Sequence, residues 1–456
     1  MPAQATSIFK ITNIRMFIAL RVLYNARFYY PVFTVLFLDY GLTIEQFAML
    51  NVVWAATIVL FEVPSGALAD IFGRKALLLC TSVIMIFELL LISFVPVGNP
   101  NLVFYVFLIN RILSGFSEAM ASGADEAIAY DSLVEHQLQA KWPDVLEVQM
   151  KVQSAGFIVA MMVGAMVYDP HLMNQLLSLF HIDYQLTQQI SMRFPLLLTL
   201  LSSFAALAVV LSMDEPLTNQ RKKQKTHLWQ TISDSTRHIL SSGQWIARTP
   251  FALVVILFAM LYDHVIRLII TLTSQYYRLF EIPDSLFGVI GAGMAVIGFF
   301  IPKMANKMTA IFSARTNIFI MATGMFFGCL GLSRFWPWFG VLPMVLIFIV
   351  FMLNGFFTSH YLNEITPSEI RATVLSFKGL SFNFSYGLIG FLFSILYAAQ
   401  KGKLQESLDV STAVQIENLA FINVTGWFQW YFLVFFVVVL IFSFFILRYR
   451  RGVSQG

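Results

Sequence analysis

The sequence predicts an all-α membrane protein of twelve transmembrane helices in two pseudo-symmetric six-helix bundles. Three observations carry that prediction. The composition is 58% hydrophobic and only 12% charged, with 46 phenylalanines in 456 residues, more apolar mass than a water-soluble fold can bury. Apolar runs of about 20 residues, the length that crosses a bilayer, recur twelve times. The chain also matches itself at a single offset of 240 residues from the first run to the fourth.

The runs lie near 15–40, 45–69, 76–96, 102–128, 147–168 and 191–213, and then near 250–279, 285–305, 313–333, 338–360, 373–399 and 424–447. The first carries Arg21 and Arg27 and has no small-residue cleavage site, so it reads as a retained helix and not as a secretory signal. Cys80 and Cys329 both fall inside runs, with neither a metal-ligand spacing nor a disulfide framework, and read as small packing residues. Between the sixth and seventh runs lies the longest polar stretch. It divides the chain into an N-terminal bundle (1–213), a cytoplasmic linker (214–249) and a C-terminal bundle (250–456). Leu228, Ile232, Ser235 and Ile239 follow helical spacing, which predicts an amphipathic helix at the membrane surface. With both termini cytoplasmic, twenty Lys and Arg fall on the cytoplasmic side and five on the other. The net charge of +4 is therefore a topology signal and not a nucleic-acid footprint.

At the 240-residue offset Phe47 falls on Phe287, Ile71 and Phe72 on Ile311 and Phe312, Lys75 on Arg315, and Arg27 on Arg267. Leu113, Gly115 and Phe116 fall on Leu353, Gly355 and Phe356. Duplicated six-helix halves predict a substrate site between them near the bilayer midplane.

The loop after the second run reads Gly66, three residues, Asp70, two residues, then Gly73-Arg74-Lys75. With Arg111 and Gly115 in the fourth run and "RATVLSF" at Arg371 to Phe377, the chain resembles the major facilitator superfamily of secondary transporters, across all twelve runs. The resemblance implies alternating access, and it implies that the Gly66, Asp70, Gly73, Arg74 and Lys75 cluster acts as a conformational latch. Elementary chemistry also permits a plain topological anchor, because Gly73 allows a tight turn and the anionic inner leaflet favours cations. The matching C-terminal loop has Asn306, Ala310 and Ser313 in place of the glycines and aspartate, which makes any latch one-sided. Drug exporters of the superfamily carry a Gly-rich, Pro-containing motif on the fifth helix. Here Gly156 and Gly164 are present but Pro170 comes only after the run, so that signature is incomplete.

Charges inside the runs are the functional candidates, because a carboxylate at a helix centre costs about 2.5–3.5 kcal/mol on insertion scales. Glu62 lies two turns deeper than the latch. Arg111, Glu118 and Asp125 recur at seven-residue steps on the fourth helix and share one face. They read either as a proton path, with Glu126 and Asp131 leading outward, or as a static network in which Asp131 pairs with Arg74. Arg27 and Arg267, at equivalent points of the first and seventh helices, predict a bidentate clamp for carboxylate or phosphate. Organophosphate exchangers of the superfamily resemble this arrangement. The alternative pairs Arg267 with Asp263 and Arg27 with Glu62. Tyr24, Asn25 and Tyr29 complete the substrate-binding candidates.

The function expected is secondary transport of a small organic solute, anionic and of polycarboxylate or carboxylate-siderophore type, coupled to protons across a bacterial inner membrane by a monomer. A multidrug or lysophospholipid transporter of the same fold is the alternative, and an intramembrane enzyme the different-class one. No G-x-x-x-x-G-K-[ST] loop, H-E-x-x-H or G-x-S-x-G occurs, so no cofactor, metal or enzymatic chemistry is expected.

Overall fold

The computed structural model describes residues 8–216, 228–367, 370–407 and 412–453, and every regular element in them is helical. The first span is broken. Helix α1 (Thr12–Asn25) stops before Ala26, a 3-10 turn follows at Tyr30–Val32, and α2 (Phe33–Asp39) finishes the crossing. Pro31 lacks the amide that a continuous helix needs there. A break inside a bilayer is tolerated only if its polar backbone is satisfied, and side chains do this. Asn25 donates to the Arg21 carbonyl at 2.7 Å, Arg27 Nε donates to the Tyr24 carbonyl at 3.2 Å, and the Phe28 amide donates to Thr199 Oγ1 at 3.1 Å. Gly164 faces this break so closely that a Cβ there would stand 1.7 Å from the Phe28 carbonyl oxygen.

Helix α3 (Ile44–Phe72) runs through Pro64 and ends at Gly73, whose φ of +94° suits glycine. Helix α4 (Arg74–Phe94) follows at once. Helix α5 (Pro100–Ala121) begins on an Asn99 cap, with the side chain accepting from the Leu102 amide, and Pro100 in the first turn. The turn at Ser122 and Gly123, where φ is +75°, separates it from α6 (Ala124–Glu135). Helix α7 (Trp142–Tyr168) leads to α8 (Pro170–Leu179), capped by Asp169, then to the short α9 (Gln188–Ser191) and to α10 (Phe194–Leu211). The expected linker helix is α11 (Leu228–Arg248). Its Ser242 and Ile246 are buried, and Gly243 lies against the Phe377 ring. The side chains of Leu228 and Ser235 and the basic run from Arg221 to Lys225 lie outside the described residues.

The second half continues with α12 (Pro250–Thr271), α13 (Thr273–Leu279), α14 (Phe287–Gly298), α15 (Ile301–Ile311), α16 (Ala314–Leu332), α17 (Val341–Ile365), α18 (Arg371–Ser407), α19 (Ala413–Thr425) and α20 (Phe428–Val453). Among the described residues, ten helical stretches are long and apolar enough to cross a membrane, and eleven if Asp284–Gly298 and Ile301–Ile311, bent by 41°, form one span. The broken first span is the remaining member of the expected twelve.

The chain forms two units. One comprises Met1–Leu42, Val53–Ser235 and Asp284–Ala292, the other Thr43–Val52, Thr236–Pro283 and Gly293–Gly456. In the first, α4 packs on α5 and α10, while α1 packs on α7 and α10. Gly115 permits close approach in this unit: a Cβ there would lie 2.7 Å from the Trp54 carbonyl oxygen. In the second, α12 packs on α17, α18 and α20, and α16 on α17. Lys401 on α18 bridges Glu45 at 3.2 Å and Glu417 at 2.8 Å there.

Candidate functional site

The core of the first unit holds a charged cluster built on the helix break. Arg27, 4% exposed, places Nη1 3.2 Å from Glu88 Oε1 on α4, and Glu88 is 1% exposed. The same guanidinium donates to the Tyr29 hydroxyl at 3.4 Å and lies 5.0 Å from the centre of the Tyr24 ring. Arg111 on α5 is also buried. It donates from Nε and Nη2 to the Asn110 side-chain oxygen at 3.1 and 3.0 Å, and lies 5.3 Å from the ring centres of both Phe33 and Phe37. Asn110 in turn donates to the Glu88 carbonyl at 3.2 Å. One buried carboxylate thus ion-pairs with Arg27, while Arg111 is tied through Asn110 to the backbone of the same residue. Cation–π contacts and a neutral amide solvate Arg111 without cancelling its charge.

Two sequence expectations change here. Arg27 pairs with Glu88 and not with Glu62, which sits half-buried on α3 with Oε2 unbonded among the described residues. The Arg111, Glu118 and Asp125 stripe is interrupted, because the turn at Ser122 and Gly123 re-aims the chain after α5. Arg111 is buried, Glu118 is exposed and takes a 3.4 Å hydrogen bond from the Tyr24 hydroxyl, and Asp125 is buried against Arg21 at 2.5 Å. Glu126 meets the same arginine at 2.7 Å. Asn25 is spent on the backbone of the break.

Where the sequence predicts a latch, Arg74 ion-pairs with Asp131. A residue unremarked in the sequence completes it: the Glu215 carboxylate accepts the Arg74 and Lys75 amides at 3.1 and 2.7 Å and so caps α4. The Lys75 ammonium donates to the Leu211 carbonyl at 3.2 Å and to that of Met213. Gly66 is exposed, with open space where a Cβ would be, and Gly73 stands against Glu215. The Asp70 side chain lies outside the described residues.

The second unit has its own cluster. Arg267 Nη2 lies 2.8 Å from Asp263 Oδ2, one helical turn away on α12, and Nη1 donates to Asn383 Oδ1 at 2.8 Å. The guanidinium stands 5.4 Å from the Tyr386 ring centre. Lys378 on α18, read from the sequence as a cytoplasmic loop charge, faces the same carboxylate electrostatically and donates to Ser359 Oγ at 3.4 Å. Among the described residues no carboxylate reaches ion-pair distance of Lys378. Asp263 also opens onto a cavity of about 510 Å³ whose wall includes Asn354, Ser359, His360, Asn363 and Phe382.

Neither expected clamp arginine is a free fork, since each already holds a carboxylate. Among the described residues, Arg111 in one unit and Lys378 in the other have no carboxylate at ion-pair distance. Among the described residues no group of three or more His, Cys, Asp or Glu side chains is placed to hold a metal ion.

Ten or eleven candidate spans among the described residues, a broken first helix and charged groups buried in both units define a polytopic membrane protein. The chain belongs to the Major Facilitator Superfamily, whose family model matches residues 16–390. Its fold is similar to a bacterial homologue of the human lysosomal transporter Spinster, inward-facing and unoccupied, with a TM-score of 0.71, 15% identity, and 96% of this chain and 98% of that one covered. It is also similar to the nucleoside transporter NupG (TM-score 0.67, 15% identity, 94% and 99% covered) and to a D-xylose-proton symporter (0.63, 14%, 97% and 97%). At these identities the likeness is one of fold. Comparison with curated proteins gives no match. The protein is a multi-pass secondary transporter.

Proposed function

We propose that this transporter moves a small organic anion together with protons by alternating access, as a monomer in a bacterial inner membrane with both termini cytoplasmic. The observation that carries the reading is the charge balance of the two cores. Each sets two cations against one carboxylate, Arg27 and Arg111 against Glu88, and Arg267 and Lys378 against Asp263. An uncompensated cation in an apolar interior is costly, and an anionic solute group offsets that cost. Asn383 and Tyr29, already bonded to the paired arginines, are in position to follow a guanidinium that changes partner.

The proton half of the proposal rests on Glu88 and Glu62, withdrawn from solvent where an acid must be paired or neutral, and on the exposed Glu118, which Tyr24 links to the Arg27 stack. A structural neighbour, the D-xylose-proton symporter, supports the coupling, and the nucleoside and xylose transporters support a small organic solute. Glu118→Gln and Glu62→Gln, reconstituted in vesicles, test the coupling. Retention of full pH-gradient-driven accumulation by both variants rules out these two acids as the coupling groups.

A further inference from the structure

The cavity of the second unit carries more information than its charge. Of about 510 Å³, it falls within the 300–1,000 Å³ range of small-molecule pockets. Its wall is mostly apolar, with Phe351, Phe356 and Phe382 supplying rings. The His360 imidazole is stacked on Phe356, with 14° between the planes, which continues a flat aromatic surface to a polar edge. Asn354 and Asn363 add amide groups. Asn354 already donates to the Ala259 carbonyl at 3.1 Å, so its side chain is fixed in direction. At one wall the Lys378 ammonium lies 3.4 Å from Ser359 Oγ and 5.9 Å from the centre of the Phe382 ring, both lining residues. The cation thus touches two residues of the cavity wall, one of them a ring, from just behind the lining.

We infer that this cavity is a binding site for an aromatic organic acid, its ring held against Phe356 and Phe382 and its carboxylate or phosphate neutralising Lys378. The inference rests on the anion reading proposed above and narrows it to a substrate class. Offset or edge-on ring contacts favour an aromatic ligand beyond simple burial. A charge-assisted hydrogen bond from lysine adds specificity for the anionic end. Asp263 sets the polarity. Although it lines the cavity, its partner is Arg267, which leaves Lys378 as a cation with no carboxylate at ion-pair distance among the described residues.

Three matched probes test this on the purified full-length protein: 4-hydroxyphenylacetate, tyramine, which has the same ring on a cationic tail, and malate, an anion without a ring. Affinity is read by calorimetry and by thermal stabilisation. The expected result is binding of 4-hydroxyphenylacetate at least about tenfold tighter than either other probe, a factor worth about 1.4 kcal/mol. Lys378→Gln then weakens that probe about tenfold or more, and Lys378→Arg restores part of it. Phe382→Ala weakens it while leaving malate unchanged. Each variant is first matched to wild type for monodispersity and thermal unfolding, and Lys378→Arg serves where Lys378→Gln does not fold. Equal binding of malate and 4-hydroxyphenylacetate, both lowered by Lys378→Gln and neither by Phe382→Ala, overturns the aromatic site but leaves an anion transporter. Preferred binding of tyramine, or binding of none of the three, overturns both.

Discussion

The Arg27–Glu88 pair gives the most quantitative prediction. At 3.2 Å, two unit charges in a medium of effective dielectric about 20 attract by roughly 5 kcal/mol. Desolvation of both ions offsets most of that gain, so the pair itself adds little stability. Removing one partner is a different matter. Glu88→Gln leaves Arg27 and Arg111 buried with no carboxylate between them, and a broken buried pair costs about 3–5 kcal/mol. Arg27 keeps its bonds to the Tyr24 carbonyl and the Tyr29 hydroxyl, which places the cost near the lower bound, about 3 kcal/mol. At about 2–4 °C per kcal/mol for a unit of this size, the apparent Tm falls by roughly 10 °C. The double variant Arg27→Gln with Glu88→Gln removes both charges and recovers at least about 2 kcal/mol of that loss, as groups in direct contact couple by up to about 3 kcal/mol. The assay is thermal unfolding of the four proteins of the cycle in one detergent. A double variant whose loss equals the sum of the single losses refutes the account of a coupled buried pair.

Three further outcomes follow from the packing. Gly164→Val forces a side chain into the Phe28 carbonyl, and overpacking of about 1–3 kcal/mol or more must displace the helix break; low transport with retained membrane insertion is expected, measured by vesicle uptake against surface-labelled protein. Glu215→Ala uncaps α4 and removes two charge-assisted bonds, costing about 2 kcal/mol, while Glu215→Gln costs less than half as much, as thermal unfolding in detergent will register. Lys401→Gln leaves Glu45 and Glu417 facing each other without their shared cation. Its thermal unfolding temperature falls, and adding Glu45→Gln, which removes the repulsion between the two acids, recovers part of the loss.

How much of this was legible in the sequence depended on what kind of signal each feature left. Hydropathy alone placed the crossings, because a bilayer demands long apolar runs regardless of tertiary detail. The break at Ala26–Tyr29 was missed although Pro31 advertises it, since the apolar content on either side is continuous and the satisfying bonds, from Thr199 above all, come from far along the chain. Ser122 and Gly123 were likewise read through as helix. A seven-residue stripe presumes an unbroken axis, and a glycine at positive φ removes it. The same rule that singled out Glu62 applied equally to Glu88, in "MIFELLLI", and was not applied there. Lys378 counts with the cytoplasmic charges by its place at the start of the eleventh run, yet it stands two turns inside α18, which begins at Arg371. The i, i+4 spacing of Asp263 and Arg267 was visible directly, whereas the pairing of Arg27 required knowing which helix faces the break.

The central claim, proton-driven movement of an organic anion, is tested most directly by uptake into proteoliposomes of purified protein. Radiolabelled 4-hydroxyphenylacetate, malate and glucose 6-phosphate are offered alongside tyramine and a neutral sugar, with and without an imposed pH gradient. The account predicts that at least one anion accumulates above its equilibrium level only when the gradient is present, that a proton ionophore abolishes the accumulation, and that no cationic or neutral probe behaves so. Gradient-driven accumulation of tyramine or the sugar, with every anion left at equilibrium, contradicts it.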